Sequence, residues 1–359
     1  MSAPTLLTDP PIAPDLPEAS FQSVSAAFAH FIPLVEAEMR SVIRLGLEDD
    51  TLGTLLNYHL GFAQVDGTPT AVYSGKRIRP MLVLLSCAAG GGEALQAIPA
   101  AAAVELLHNF SLIHDDLEDR DELRHGRPTL WKVWGEAQAI NAGDTMFAQA
   151  HLSLQRTLER GVAAERVLRA LTVFDAMCVQ LTIGQHRDLC FERRTDVSAQ
   201  EYLRMIEGKT AALTKACCEI GAILAGANDT AVEALGDFGQ SLGLSFQLQD
   251  DVLGIWGDPS KTGKLASDLA HGKKTLPVLF AAEHDGRIRE HYFTGNPLST
   301  GDIDAVKGMI EAAGGRAHVE QAAQSAFAHG LEALESVKGN APAIKLLREL
   351  AQSLLGRAN

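Results

Sequence analysis

Cysteine is scarce and unpatterned in this chain of 359 residues. Its five cysteines are odd in number and show no Cys-x-x-Cys spacing, which indicates neither a disulfide framework nor a zinc module. The N-terminus lacks a basic segment followed by an apolar one, and no apolar run approaches the roughly 20 residues that a membrane span needs. We therefore expect a protein of the cytoplasm with reduced thiols and no membrane span.

Positive charge is also in short supply, since 31 Lys and Arg against 45 Asp and Glu give a net charge of −14. This charge argues against nucleic-acid binding, although local cations can still hold phosphorylated substrates. Alternation of period two is not sustained anywhere, and no long internal repeat is found. Helical spacing dominates instead, and 46% hydrophobic residues suffice for a large core. The predicted fold class is all-α.

Proline separates a short arm from the folded body. Five prolines lie within the first 17 residues, which predicts that residues 1–20 form a mobile Pro-rich N-terminal arm. From Phe21 onward, apolar residues recur at spacings of three and four. Residues 53–74 carry little pattern and are predicted to be a connection. We expect residues 21–359 to form one domain.

The densest chemical signal is the octet at residues 114–121, which contains four Asp and one Glu directly after an apolar run. In a helix, Asp115 and Asp119 stack one turn apart and Asp116 flanks them, so the carboxylates converge. Carboxylates with few His or Cys nearby favour Mg²⁺, which usually brings phosphate with it. Taken alone, the motif is more often a solvated acidic helix end.

A second acidic constellation lies about 135 residues further along the chain. Gln247, Asp250, Gly254 and Asp258 follow one another at helical spacings, with Asp251 beside Asp250. Gly254 carries no side chain, so something can approach these carboxylates closely. The second constellation strengthens the metal interpretation of the first.

Short cationic segments accompany both acidic motifs. Residues 75–80 (G-K-R-I-R-P) precede the first motif, residues 124–129 (R-H-G-R-P-T) follow it, and residues 272–275 (G-K-K-T) follow the second. Arginine forks and helix N-termini can hold anions. Two carboxylate groups, several Mg²⁺ ions and these cations could surround one diphosphate, while the apolar helices could hold a hydrocarbon tail. The pattern predicts an isoprenoid diphosphate substrate.

These motifs, in this order, resemble the trans-polyprenyl diphosphate synthase family. The matching segments are residues 74–80, 108–119, 124–129, 184–188, 209–210, 246–251 and 272–275. The resemblance implies the isoprenoid synthase fold, a single-domain bundle of many helices around a central cavity, with residues 21–359 as the catalytic domain. It also implies a homodimer and a reaction in which an allylic diphosphate ionises, isopentenyl diphosphate attacks, and a proton is lost.

The resemblance further implies the roles of individual residues. Mg²⁺ ligands would be Asp115, Asp116, Asp119, Asp250 and Asp251, which together with Lys209 would form the catalytic set. The allylic diphosphate would be contacted by Arg124, Lys209, Thr210, Gln247, Lys264 and Lys273. Isopentenyl diphosphate would be held by Gly75, Lys76, Arg79, His108 and His125.

Three positions depart from the family pattern, of which Ser74, in place of a frequent Gly, is expected to matter little. His125 stands where a second Arg is usual, so its contact to isopentenyl diphosphate would be weaker or sensitive to pH. Gly254 replaces the last Asp of the second motif, which leaves metal ligation to Asp250, aided by Asp251 or Asp258.

Product length is predicted from the residues before the first motif. Phe110 and Ser111 lie five and four positions before Asp115, about 7 Å deeper along a helix. An aromatic residue at the first position and a small one at the second resemble enzymes that form C20 chains, so geranylgeranyl diphosphate is the expected product. The plainer alternative for Phe110 is ordinary core packing.

Other functions remain as alternatives. Farnesyl or longer-chain diphosphate synthases share these motifs. A terpene cyclase of the same fold would lack the isopentenyl-binding segment at residues 75–79 and would carry a different second motif. A metal phosphohydrolase would need further His ligands, and a non-catalytic synthase subunit would not need both acidic motifs.

Overall fold

Helices form nearly all of the described chain, which confirms the all-α prediction. The computed structural model describes residues 21–45, 47, 51–70, 75–257, 268–293 and 298–355. The arm predicted over residues 1–20 lies outside them, as do Lys264 and Asp258.

The described residues form fifteen α-helices, α1 to α15 in chain order. The first seven are α1 (Val24–Arg44), α2 (Leu52–His59), α3 (Ile78–Ala89), α4 (Ile98–Glu118), α5 (Leu130–Trp134), α6 (Glu136–Gln155) and α7 (Ala164–Arg193). The remainder are α8 (Ala199–Ile206), α9 (Ala212–Ala225), α10 (Asp229–Trp256), α11 (Leu276–His284), α12 (Gly286–Tyr292), α13 (Thr300–Ala312), α14 (Gly315–Ser336) and α15 (Ala341–Leu355).

Shorter elements connect these helices. Two 3₁₀ turns, Ala94–Ala97 and Arg156–Arg160, precede α4 and follow α6. A π-helical segment, Glu207–Ala211, joins α8 to α9. The strands β1 (Leu123–Arg124) and β2 (Arg127–Pro128) form an antiparallel hairpin after α4.

Local sequence explains several helix ends. Ser198 and Glu201, with the Ser-x-x-Glu spacing of a capping box, form one at the start of α8, with both reciprocal hydrogen bonds present. Pro99 lies in the first turn of α4, where its missing N–H costs nothing. Gly226 ends α9 in the left-handed conformation, with φ at +78°. The prediction that residues 53–74 form only a connection is wrong, because α2 occupies their first part.

The core consists of two clusters that meet near the second acidic motif. The larger cluster unites α1, α3, α4, α6 and α9, and the smaller one packs α8 and the C-terminal part of α10 against α11 to α14. Ala100, Ala101, Ala102 and Ala103 are fully buried, because small side chains let other helices surround α4. The first acidic motif therefore lies at the end of a largely buried helix.

Helix α7 corrects the expectation that no apolar stretch could span a membrane. By length and composition alone, this helix of 30 residues is apolar enough, with an 18-residue window of mean hydropathy 1.4. One third of that window is buried inside the chain. Core helices of water-soluble bundles meet the same criterion, and Phe174 and Met177 of α7 pack into the larger core cluster.

Candidate active site

The first acidic motif occupies the last turn of α4 and the residue after it. The helix ends at Glu118, and the Asp119 N–H donates to the Asp115 carbonyl over 2.8 Å, so the helical spacing of this pair persists. Burial, opposed by Lys209 and helped by the nearby charges of Asp119 and Glu118, raises the pKa of Asp115 to about 6. A cation would relieve this crowding of negative charge.

Asp116 departs from the predicted convergence of three aspartates. Its side chain is 2% exposed and accepts hydrogen bonds from Arg124, whose Nε and Nη2 lie 2.7 and 2.6 Å from Oδ1. Adjacent helical residues point about 100° apart, so Asp116 faces the hairpin while its neighbours face Lys209. Asp115 and Asp119 are therefore the pair placed to share a cation, and Asp116 positions Arg124.

Lys209 lies on the π-helical segment and faces the first motif. Its Nζ is 2.5 Å from Asp188 Oδ2 on α7. Burial acts to lower the pKa of Lys209, but the carboxylates of Asp188, Asp115 and Asp119 outweigh it, so the pKa is raised. The ammonium group is thus held charged among carboxylates. π-Helical segments are frequent at functional sites.

Gly184 allows α7 to approach this segment. A Cβ at Gly184 would lie 2.2 Å from the Lys209 backbone nitrogen, so only glycine fits there. Gln185 is also buried beside Gly184, and its Nε2 donates to Glu118 Oε2 over 2.7 Å. The Gly-Gln-x-x-Asp motif therefore joins α7 both to the π-helical segment and to the end of α4.

The second motif lies near the end of α10. Thr210 donates to Gln247 Oε1 over 3.0 Å, which links the π-helical segment to this helix. Asp250 is half-buried. The π-helical segment therefore lies between the two acidic motifs, with Lys209 towards the first and Thr210 towards the second.

Asp251 is not arranged as the sequence predicts for a metal ligand. It is 2% exposed, and both carboxylate oxygens lie within 2.9 Å of the Tyr202 hydroxyl, which donates to them. Gln247 Nε2 and the Leu276 backbone N–H also donate to it, over 3.1 and 3.3 Å. Burial raises the pKa of Asp251 to about 7, although these donors oppose the rise. Its oxygens are occupied by protein donors.

Asp268 fills the place next to Gly254. A Cβ at Gly254 would lie 1.9 Å from Asp268 Oδ2, and the Asp268 N–H donates to the Gly254 carbonyl over 3.2 Å. Lys273, mostly exposed, has its Nζ 3.7 Å from Asp268 Oδ1. A carboxylate therefore stands over the position where the family pattern has its last Asp. Sequence reasoning assigned no role to Asp268, because it arrives from a separate segment.

The cationic hairpin is fastened to α2. His125 and Gly126 form its exposed tip, with φ at +52° and +76°, the left-handed pair of a type I′ turn. Arg127 donates to the carbonyls of Tyr58 and Ala63, both over 2.9 Å. His125 lies at this exposed tip, whereas Arg124 turns inward towards Asp116.

Basic side chains from α2, α3, α4 and the hairpin lie close enough to influence one another's charge. Burial, together with Arg79 and Arg124, lowers the pKa of His108 well below its usual value. His59 of α2 belongs to this group, because burial, followed by Arg124 and Arg127, lowers its pKa to about 3. The arginines carry the positive charge of this group, and their guanidinium groups suit an anion. Sequence reasoning missed His59, since residues 53–74 showed no cationic motif.

The segment before α3 is held in an unusual backbone conformation. Gly75 and Arg77 have φ values of +94° and +48°. The buried Arg77 guanidinium is 2.6 Å from Glu105 Oε1, and this ion pair fixes the segment against α4. Lys76 is exposed and Arg79 half-buried, so the cations flanking Arg77 differ in their access to solvent.

Phe110 begins a row of aromatic rings directed away from the acidic motif. Its ring lies 4.8 Å from that of His114 and 5.0 Å from that of Phe147 on α6, measured between centroids. The row continues through His151 to Phe174. Ser111 donates its hydroxyl to the His108 carbonyl over 2.8 Å, so it presents a small surface.

The donor set fits a hard divalent cation shared with phosphate. Among the described residues, no three acidic, His or Cys side chains converge on one point. Mg²⁺ usually takes one or two protein carboxylates and completes its shell with water and phosphate oxygens. Pairs such as Asp115 with Asp119, rather than a closed protein cage, match that preference.

Comparison with known proteins gives one consistent result. The polyprenyl synthetase family model matches residues 68–308. A (2E,6E)-farnesyl diphosphate synthase of Mycobacterium tuberculosis is 42% identical over 318 residues, which cover 86% of this chain and 87% of that protein. A geranylgeranyl diphosphate synthase of the same organism is 43% identical over 277 residues, covering 76% and 78%.

Solved structures agree with the sequence comparisons. A polyprenyl synthetase from Streptomyces coelicolor superposes with a TM-score of 0.84 at 36% identity, covering 92% of this chain and 99% of that one. The likeness therefore extends well beyond the motifs to the arrangement of the helices.

Proposed function

Because this chain belongs to the polyprenyl synthetase family and is a prenyltransferase, we propose that it condenses isopentenyl diphosphate with an allylic diphosphate to make geranylgeranyl diphosphate. The observation that carries the proposal is Lys209 between two acidic motifs, paired with Asp188 and facing Asp115 and Asp119. A cation among paired carboxylates is an arrangement that a metal-bound diphosphate completes.

The residues divide the work between the two substrates. Asp115, Asp119, Asp250 and Asp268 would hold Mg²⁺, which would supply charge stabilisation for the departing diphosphate. Lys209 and Arg124 bind the allylic diphosphate, with Lys264 and Lys273 from the segment after α10. Thr210 and Gln247, which are hydrogen-bonded to each other, would contact the allylic diphosphate beside Lys209.

Isopentenyl diphosphate would bind at the basic side chains around the start of α3. Its diphosphate would be held by Lys76, Arg79 and His108, and we add His59, whose pKa burial, Arg124 and Arg127 lower to about 3. Gly75 lets the chain approach the diphosphate closely, because its φ of +94° suits only glycine. His125 contacts this diphosphate from the hairpin tip. The released diphosphate accepts the proton, since no side chain is assigned that task.

One assay tests the proposed activity. Purified protein is incubated with labelled isopentenyl diphosphate and each of the C5, C10 and C15 primers, with Mg²⁺ or with EDTA, and the products are separated by chromatography. We expect elongation from all three primers to C20, abolished by EDTA. Absence of elongation from every primer would exclude the proposal.

The C20 assignment rests on the rings of Phe110 and Phe147, which are called the aromatic floor below. The mycobacterial relatives carry farnesyl and geranylgeranyl names at similar identity, so overall likeness does not choose between them. Phe110 and Phe147, whose ring centroids lie 5.0 Å apart, would close the path of a tail growing along α4, and the small Ser111 would leave space above them.

Replacing Phe110 by Ala is expected to lengthen the main product by at least one isoprene unit, because it removes the first ring of the floor. Ser111→Ala is the matched control, since it keeps a small side chain and should leave product length unchanged. Chromatography of dephosphorylated products measures both. A C20 product from Phe110→Ala would remove Phe110 from the floor.

We also propose that the protein is a homodimer that works in the cytoplasm. Leu168, Val179 and Ile183 share one face of α7 and are 37 to 67% exposed. The neighbouring α6 exposes Ile140 and Leu152 as well. A second copy of the chain would cover this apolar surface. The cytoplasmic assignment is supported by the five cysteines, all of which are free thiols.

Val179→Glu should dissociate the dimer, because it places a charge in the centre of the apolar surface. Light scattering after size-exclusion chromatography should give half the wild-type mass. Val65→Glu is the control, since Val65 is 48% exposed and lies far from α7 in the sequence. A monomeric wild-type protein, or an unchanged mass for Val179→Glu, would contradict the proposed interface.

A further inference from the structure

Four elements exchange hydrogen bonds around the Asp251 carboxylate. Tyr202 of α8 donates to both of its oxygens, at 2.9 and 2.8 Å, and the first N–H of α11, at Leu276, donates over 3.3 Å. Gln247 of α10 donates its amide N–H₂ to the same carboxylate over 3.1 Å. Thr210 of the π-helical segment then donates to the Gln247 carbonyl oxygen over 3.0 Å.

The direction of these bonds fixes the orientation of the Gln247 amide. An amide group has a donor end and an acceptor end of nearly equal shape, so its orientation depends on its partners. Because the N–H₂ end is bound to Asp251, the oxygen end must point towards Thr210. The Thr210 hydroxyl donates its hydrogen bond to that oxygen. The lone pairs of the Thr210 hydroxyl therefore point away from Gln247.

We propose that Tyr202 is a positioning residue of the condensation, which holds Asp251 so that Gln247 and Thr210 present oxygen atoms to the allylic cation. The proposal rests on the proposed function. In the native network, two oxygen atoms meet the positive charge that develops when the diphosphate departs. If the carboxylate turned away, the amide could rotate by half a turn and present N–H groups, which repel that charge.

The network also separates the roles of two adjacent aspartates. Asp250 is half-buried on α10, whereas Asp251 is 2% exposed with both oxygens bound by Tyr202. Turning Asp251 towards a metal ion would strip the Tyr202 hydroxyl and the Leu276 N–H of their acceptor at a buried position, which is costly. Asp250 thus binds metal, and Asp251 orients Gln247.

Turnover and substrate binding should respond differently to loss of the Tyr202 hydroxyl. Tyr202→Phe is expected to lower kcat by about 30-fold, because a misoriented amide destabilises the transition state. KM for both substrates and the Mg²⁺ concentration for half-maximal rate should stay within about twofold of wild type. The control is Ser245→Ala, which removes another buried hydroxyl of α10 whose partner is the Ala323 carbonyl, 2.8 Å away.

A double-mutant cycle distinguishes positioning from a general structural effect. Thr210→Val and Tyr202→Phe both act through Gln247, so the double variant should be about as slow as the slower single variant. Independent effects would multiply. Multiplying effects, a wild-type kcat for Tyr202→Phe, or an equal loss in Ser245→Ala would overturn the proposal.

Calorimetry with Mg²⁺ and inorganic pyrophosphate gives a readout that needs no turnover. Asp250→Asn should weaken pyrophosphate binding by at least about tenfold, whereas Asp251→Asn and Tyr202→Phe should leave it within about twofold. Equal weakening by Asp250→Asn and Asp251→Asn would make Asp251 a metal ligand and overturn the assignment. This titration tests the roles of Asp250 and Asp251 even if Tyr202→Phe does not fold or the wild type elongates no primer. The positioning proposal and the proposed synthase activity can therefore fail separately.

Discussion

Asp115→Asn should reduce turnover about 1,000-fold, equivalent to roughly 4 kcal/mol of transition-state stabilisation. Asp115 is a half-buried carboxylate that interacts electrostatically with Lys209, Asp119 and Glu118. Removing its charge leaves the departing diphosphate without one metal anchor. The substitution preserves shape, so a loss of this size reports chemistry and not packing.

Steady-state rates at saturating substrates measure the effect of Asp115→Asn. Asp144→Asn is the matched control, because it makes the same substitution at a nearby but exposed carboxylate. The side chain of Asp144, on α6, is 69% exposed and lies 3.8 Å from His114, the residue before Asp115. This control variant should turn over like the wild type. An Asp115→Asn variant within tenfold of wild type would show that the first motif does not hold the metal.

Restoring the missing aspartate of the second motif should damage the enzyme. Gly254→Asp is expected to lower kcat by about 100-fold or more, because its Cβ would lie 1.9 Å from Asp268 Oδ2 and displace that carboxylate. Asp268→Asn should instead fold normally and raise the Mg²⁺ concentration for half-maximal rate about tenfold.

A charge exchange sharpens this test. The double variant Gly254→Asp with Asp268→Gly returns the carboxylate to α10 and removes the clash, so it should recover most of the activity that Gly254→Asp loses. Gly53→Asp is the control for adding an aspartate at a glycine, since a Cβ there would meet its nearest atom at 3.6 Å. Higher activity in Gly254→Asp than in wild type would contradict the role given to Asp268.

Local spacing predicted the parts of the site that lie on single helices. His108, Phe110 and Asp115 share α4, and the helical period alone placed them relative to one another. The capping box at Ser198 was equally readable, because cap and helix are neighbours in sequence. The basic segments could also be recognised, although not the hairpin that one of them forms.

Contacts between distant segments were not predictable in this way. Asp116 and Asp251 were both predicted to bind metal, like the aspartates beside them. In the structure both are buried, because Asp116 is hydrogen-bonded to Arg124 and Asp251 to Tyr202. Sequence spacing gives the angle between neighbouring side chains but not which of them faces the cavity. From the sequence, Gly254 marks a position of the second motif where a metal ligand is missing. The folded chain brings the carboxylate of Asp268 to that position, which sequence spacing could not show.

The stoichiometry of diphosphate release tests the central claim most directly. With an allylic primer, labelled isopentenyl diphosphate and Mg²⁺, the account predicts one inorganic diphosphate released for each isopentenyl unit incorporated, and none when isopentenyl diphosphate is omitted. Diphosphate release from the primer alone, without incorporation of isopentenyl units, would contradict it and indicate a cyclase or a hydrolase.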